Sequence, residues 1–427
     1  MYLRHNIVFL CCVFAAFFLP LSLQAETFAF KEKLGAKQRT ISTVNEQVML
    51  NGELLYETRI LNRMTSEVKE IDSTKNGDTK FDAVFALAEE RLVPDKVESD
   101  SKISAFQWQE DYHSIFSRST LGKITIGKNV VMPTVRDVPL FPDKDLAVGE
   151  TWTAPGVEAH DLGPTFGIKE LFSIPFVATY KFLGDRKWRG KTYKTFSIDY
   201  TAEKKTTDYF EQDPFNTMTN GAKSDFKPVK VLAKSNQLVY WDSGLGQPVG
   251  ANENFSLVFY MSDGNVYEFS GTAEAEIIES EIMDKDALSK DIEKKLQDAG
   301  IKDATVKIVE GGVSIDIENI QFTADSAILQ KSEKAKLDAI GKILTQYPNR
   351  DILVSGHTAL AGGSDASRMQ LSQERAGAVA GYFINNKVRG KEHIMVRGWG
   401  STKPIADNNT EEGKQKNRRV EITILEN

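Results

Sequence analysis

Cysteine is almost absent from this chain of 427 residues. The two that occur, Cys11 and Cys12, lie in the first dozen positions. The rest of the chain therefore has no disulfide, no thiol nucleophile and no thiolate metal site. Positive charge in excess is absent too: 53 Lys and Arg face 60 Asp and Glu, a net charge of −7. That balance argues against general nucleic-acid binding, which needs a basic face to displace counterions. Beyond Leu23 no stretch approaches the roughly 18 apolar residues of a membrane helix. Catalytic signatures are missing as well. His113 and His160 have acidic neighbours, Asp111 and Asp161, but no metal-ligand spacing. There is no glycine-rich phosphate loop and no nucleophile elbow. No metal, no cofactor and no enzymatic activity are expected.

What is present begins with an apolar N-terminus. Arg4 precedes Ile7 to Leu23, and Leu23-Gln24-Ala25 is a small-residue cleavage site before Glu26. Residues 1–25 read as a secretory signal. Pro20 breaks the run, which weakens the competing reading as a membrane anchor. Cys11 and Cys12 fall too early for a lipoprotein box. Export without disulfides fits a bacterial envelope protein, placed in the periplasm or at the outer membrane.

From Glu26 to Ile282 the pattern is strand-like. Phe196, Ile198 and Tyr200 alternate with Ser197 and Asp199, and Phe255, Leu257 and Phe259 alternate with Ser256 and Val258. A period of two means one packed face and one wet face. Asn51-Gly52, Asn76-Gly77, Gly184-Asp185 and Asp263-Gly264 supply turns. The clearest hairpin runs from Val258–Met261 to Val266–Phe269. The region is large for one sheet. A split among the prolines between Pro133 and Gly149 gives two expected β-rich units, 26–140 and 141–282. Glu274, Glu276, Glu279 and Glu281 read as the wet face of a strand. Trp152, Trp188, Tyr240 and Trp241 read as sheet core in preference to a sugar platform.

At Met283 the period changes. Asp284 or Asp286 caps a helix carrying Leu288, Ile292 and Leu296, and Gly300 closes it. Strands follow at Thr305–Val309 and Val313–Ile317. Ser332 caps a helix with Leu337, Ile340 and Leu344, ended by Pro348. Asp351–Ser355 is a strand, Leu371–Phe383 a helix, and His393–Gly398 and Arg419–Leu425 are strands. Helices alternating with strands predict an α/β two-layer sandwich over 283–427. The fold class is thus α+β and multidomain, with a mainly antiparallel β N-terminal region ahead of that sandwich.

This last segment carries separated motifs in order: Ile320-Gln321-Phe322-Thr323-Ala324-Asp325-Ser326-Ala327; Val354-Ser355-Gly356-His357-Thr358; Leu371-Ser372-Gln373-Glu374-Arg375-Ala376; Gly398-Trp399-Gly400 with Pro404; and Asn409, Gly413 and Asn417-Arg418-Arg419-Val420-Glu421. It resembles the OmpA-like peptidoglycan-binding domain, over the last quarter to third of the chain. The resemblance implies a domain that grips the diamino acid of the peptidoglycan stem peptide. Arg375 stands where the family's arginine takes the carboxylate, a pairing suited to the guanidinium fork. The family's ammonium-binding aspartate, directly after Gly-His-Thr, is Ala359 here. Asp365, in a slightly longer loop, is a candidate substitute. The family's Asn three before the Leu is Arg368. Asp325, Thr358, Asn417 and Arg418 complete the candidate peptidoglycan-binding residues, each with a structural alternative: strand exit for Asp325, strand end for Thr358, loop ordering for Asn417 and Arg418. His357 reads as structural.

Three relatives of that family are distinguishable. The flagellar stator type needs a membrane span with a conducting acid, and Ile7 to Leu23 holds none. The lipoprotein type needs a lipid-box cysteine. The porin type places a barrel ahead of the domain, yet Glu46, Glu53, Glu57 and Arg59 crowd any lipid face there. The expected role is envelope integrity through docking on peptidoglycan or a variant stem peptide, with other envelope proteins as further partners. The competing readings are a scaffold that has lost wall binding, and an outer-membrane barrel.

Overall fold

The computed structural model describes residues 25–72, 77–92, 105–163, 171–205, 227–279, 283–318, 320, 322–323, 326–348 and 350–426. The signal expected at residues 1–25 lies almost wholly outside them, as does Asp325. No helix among the described residues is long and apolar enough to cross a membrane.

Twelve strands precede the first described long helix. They are β1 (Lys37–Leu50), β2 (Glu53–Asp72), β3 (Asp78–Leu92), β4 (Phe106–Arg118), β5 (Ile124–Ile126), β6 (Val135–Arg136), β7 (Thr151–His160), β8 (Phe172–Trp188), β9 (Lys191–Lys205), β10 (Pro228–Asp242), β11 (Gln247–Met261) and β12 (Val266–Glu279). Alternation builds them. In β8, Phe172, Ile174, Phe176, Ala178, Tyr180 and Phe182 are all buried, while Pro175, Val177 and Thr179 between them are exposed. The pairing is antiparallel in the order β4-β3-β2-β1-β12-β11-β10-β9-β8-β7.

One consequence departs from expectation. The residues on either side of position 140 do not form separate sheets. β1 pairs with β12 from Gln38 opposite Glu279 to Leu50 opposite Tyr267, so one sheet runs through both expected units. Prolines 133 and 139 instead follow cis peptide bonds in the connection between β5 and β7. Bulges at Val48, Val68, Ala86, Phe182 and Tyr240 interrupt the ladders. Such bulges bend strands and raise twist, which curves a long sheet.

The hydrophobic face packs into several cores. At one end Phe28, Phe30, Phe141, Phe182, Phe196 and Trp241 meet mostly edge-to-face. Trp152 stacks on Tyr180 at 5.0 Å, and Trp188 on Tyr240 at 5.1 Å. Of the four aromatics read as sheet core from the sequence, Tyr240 and Trp241 are buried and Trp152 and Trp188 half-buried.

After Met283 come α1 (Lys285–Asp298), β13 (Ala304–Val309), β14 (Gly312–Glu318), α2 (Lys331–Leu344), β15 (Ile352–Gly356), α3 (Asp365–Asn385), β16 (Ile394–Gly398), α4 (Glu411–Asn417) and β17 (Arg419–Leu425). Asp284 caps α1, accepting from the Ala287 N–H at 2.9 Å, and Gly300 ends it at φ +71. The cap of α2 is Gln330 and not Ser332, and that helix stops at Leu344, before Pro348. The strand order is β13-β14-β17-β15-β16, with β15 and β16 parallel. Ile292, Leu296, Leu337, Ile340, Val379 and Phe383 from the helices share a core with the strands.

The two regions join edge to edge. β16 pairs in parallel with β4, Met395 opposite Phe106 and Val396 opposite Gln107. Leu61, Ala88 and Phe106 pack against Met395 and Leu425. A buried ion cluster reinforces the joint. Asp351 meets Arg63 and Arg39 of the β region and His393 of β16's approach. Lys391–Glu90 and Lys37–Glu426 flank it.

Candidate functional site

The site sits where β15 ends, at the start of α3. Gly356 terminates β15, and a Cβ there would collide with the Ser372 carbonyl of α3. Glycine is needed for this close approach. Gly398 makes the same approach from β16: a Cβ there would press on Gln373 N and Ser372 Oγ. The Gly-His-Thr and Gly-Trp-Gly motifs thereby let the first half of α3 lie across two strand ends, and Arg375 projects from that half. Its Nε donates to the Ser326 carbonyl at 3.2 Å, and its guanidinium lies 5.0 Å from the Phe322 ring centre. Phe322 and Ser326 thus flank a half-buried cation.

Thr358 and Ala359 form the neighbouring wall. The Thr358 N–H donates to Gly400 O at 2.8 Å. Its hydroxyl is buried with no hydrogen-bond partner among the described residues. Ala359 is only 4% exposed, so the methyl group occupies a covered position where the family carries a carboxylate.

Asp365 does not replace that acid in this structure. It is the first residue of α3, its side chain is 93% exposed, and it pairs with Arg368. The segment Asp365 to Gln370, expected as loop, is helix because Ser364 caps it, accepting from the Ser367 N–H at 3.2 Å. Arg368 is occupied within the domain: it donates to the Gly362 and Gly363 carbonyls and to the Ser401 hydroxyl.

Asn417 is a structural residue here. It is 1% exposed and uses its whole amide. Its Oδ1 accepts from the Ile405 and Ala406 N–H groups, and its Nδ2 donates to Ala406 O and Asn408 Oδ1. Asn408 in turn accepts from the Leu360 N–H at 2.9 Å. Asn417 thereby ties the end of α4 to the wall beside Ala359. Arg418 pairs with Glu411 at 2.9 Å within the same helix region. Trp399, between Arg397 (4.1 Å) and Lys403 (5.1 Å), makes an aromatic–cation stack that sequence reasoning left without a role. Only its spacing between two basic residues hinted at it.

His357 is buried, with Nε2 3.4 Å from Glu421 Oε1. Burial pushes its pKa down, partly opposed by Glu421. Burial alone would raise Glu421, but His357 and Arg419 outweigh it and hold this carboxyl at about 2. The sign for His357 follows from proton linkage. Below the ordinary histidine value of about 6.5 the unfolded chain takes a proton that the native state resists. Stability should therefore fall as pH drops from 7.5 toward 5.5. Urea unfolding across that range checks this, and His357→Asn should flatten the slope.

The comparisons agree with the motif order. Residues 321–418 match the OmpA family model. These residues are an OmpA family domain. "Probable lipoprotein YiaD" of Escherichia coli is 41% identical over 106 residues, 25% of this chain and 48% of that protein. "Peptidoglycan-binding protein ArfA" of Mycobacterium tuberculosis is 38% identical over 105 residues, 25% of this chain and 32% of that protein. A solved outer-membrane protein of Borrelia burgdorferi is 34% identical, covering 29% of this chain and 96% of that one, with a TM-score of 0.24. The chain spans about half or less of the length of these two curated relatives. The matched OmpA family segment lies in the C-terminal part of the chain.

Proposed function

We propose that this chain is a non-enzymatic protein of the bacterial envelope, exported to the periplasm or the outer membrane. Its OmpA-like domain docks on peptidoglycan or a variant stem peptide, with Arg375 as the carboxylate clamp. The protein then contributes to envelope integrity by tethering the β region to the wall. One observation carries the reading: Arg375 is half-buried on the helix that crosses the strand ends at Gly356 and Gly398, with its Nε on the Ser326 carbonyl and its guanidinium 5.0 Å from the Phe322 ring centre. A planar, oriented guanidinium suits bidentate capture of a carboxylate.

Retention of the full chain on purified sacculi tests it. Arg375→Ala should lower retention at least tenfold, since losing one charge-assisted pair costs about 1.5–3 kcal/mol. Arg375→Lys should restore only part, because an ammonium lacks the fork. Unchanged retention by Arg375→Ala would sink the clamp.

Ala359 favours a second reading, in which the domain no longer holds the wall and serves as an interaction module. Failure of the unaltered chain to sediment with sacculi would support that instead. The barrel reading calls for β4 to meet β7; among the described residues β4 pairs instead with β5 and β16, and β7 with β6.

A further inference from the structure

The β region carries a half-open cavity of about 630 Å³. That lies in the range of roughly 300–1,000 Å³ usual for small-molecule pockets. Its lining takes in Tyr200 and Phe259 of the cluster around Tyr180, and Phe85, which packs on the cluster around Phe81 and Phe116. Its walls come from alternate residues of neighbouring strands: Val44 and Glu46 of β1, Ile60 and Asn62 of β2, Phe85 and Leu87 of β3, and Glu253, Phe255 and Leu257 of β11. Residues 131–135 and 160–162 close one side.

Register explains the space. Across the sheet, Ser235, Phe255, Gly271, Glu46 and Thr58 stand opposite one another in a row. Gly271 contributes no side chain at the middle of that row, and a Cβ there would strike the Asn45 carbonyl. In the next row Ala273 stands between Glu253 and Val44. The small residues leave a trough that the large ones flank.

The charges in the cavity are lopsided. Glu158 is satisfied by Tyr200 at 2.7 Å and His160 at 2.7 Å, and Glu253 by Ser235 and Gln237. Glu46 has no hydrogen bond or ion pair among the described residues, and Asn62 Oδ1 is buried without a partner. Burial first, and Glu89 second, push the Glu46 carboxyl up to about 7. The cations of the lining do not answer it: Arg63 is held by Asp351, His160 by Glu158, and Lys234 is exposed. An anionic head group would add to the carboxylates, whereas a cationic one would complete Glu46.

We propose that this cavity binds a single-chain amphiphile with an ammonium head, its alkyl tail along Val44, Ile60, Phe255 and Leu257 and its head on Glu46 with Asn62 Oδ1 as a further acceptor. The site is separate from the wall-docking domain and does not depend on how that domain is read.

The test uses the full chain and three twelve-carbon probes, dodecylamine and dodecanoate below their micelle concentrations and dodecanol below its solubility limit, followed by titration calorimetry. Dodecylamine should bind saturably at one site, dodecanol at least tenfold more weakly, and dodecanoate not measurably. Glu46→Gln, nearly isosteric, should lower dodecylamine to the dodecanol level. Ala273→Phe should abolish binding of both, with the circular dichroism spectrum showing that the sheet persists; should that variant unfold, Glu46→Gln decides alone. No saturable dodecylamine binding, equal binding by Glu46→Gln, or dodecanoate bound as tightly would each overturn the proposal.

Discussion

Asp351→Ala should lower the unfolding free energy by about 3–5 kcal/mol, the range for removing one partner of a buried ion cluster. Asp351 is completely buried. Its Oδ1 lies 2.7 Å from His393 Nδ1, and its Oδ2 faces Arg63 and, at 3.5 Å, Arg39. Burial pulls the Arg63 guanidinium down to about 9 and that of Arg39 to about 10, the mark of cations held out of water. Without the aspartate, two such cations lose their counter-charge. Because Arg39 and Arg63 belong to β1 and β2 while Asp351 precedes β15, the damage falls on the joint between the two regions. Urea unfolding followed by tryptophan fluorescence should show a lower midpoint. Limited proteolysis should cut the chain near Met283 sooner. The companion variant Arg39→Met/Arg63→Met/Asp351→Leu should recover most of the loss, since apolar replacement of a whole buried cluster is often neutral or better. A midpoint for Asp351→Ala within experimental error of the unaltered chain would show that the cluster is solvated and contributes little.

That joint was invisible in the sequence, and the reason is physical. Alternation and turn residues report on neighbours along the chain. They place the hairpin at Met261 and Val266, the cap at Asp284 or Asp286 and the stop at Gly300. They carry no information on which strand lies beside which, so the pairing of β1 with β12, the continuity of the sheet past residue 140 and the reach of Arg63 to Asp351 were out of sight. Within the OmpA-like domain the motifs were legible because each glycine answers a close approach of backbone, as at Gly356 and Gly398. The start of α3 was missed because Gly362 and Gly363 look like loop and hide the Ser364 cap behind them. Asn417 was ambiguous for a related reason. An amide can bind a ligand or order a loop equally well, and only the four partners it has here decide for the loop.

Ala359→Asp is the change expected to move affinity most. The family resemblance assigns this position the carboxylate that meets the ammonium of the stem-peptide diamino acid, while Arg375 meets its carboxylate. A buried ammonium without such a partner costs about 1–3 kcal/mol or more, which is roughly a tenfold to several-hundredfold loss of affinity. Restoring the acid should return that factor toward a stem peptide whose diamino acid offers both groups. The position is covered, so the unliganded variant should be less stable than the unaltered chain. Thr358, whose hydroxyl lacks a partner one residue away, can offset part of that cost by donating to the new carboxylate. Titration calorimetry with a soluble stem-peptide fragment separates the two effects, since affinity rises while the urea midpoint falls. Coupling to Arg375 gives the sharper readout. If both side chains grip one diamino acid, Arg375→Ala in the Ala359→Asp background should cancel the gain, and the two changes should fail to add. An acid at 359 that leaves affinity unchanged would mean that the diamino acid is not read beside Arg375, and that the methyl group marks a cleft given over to another partner.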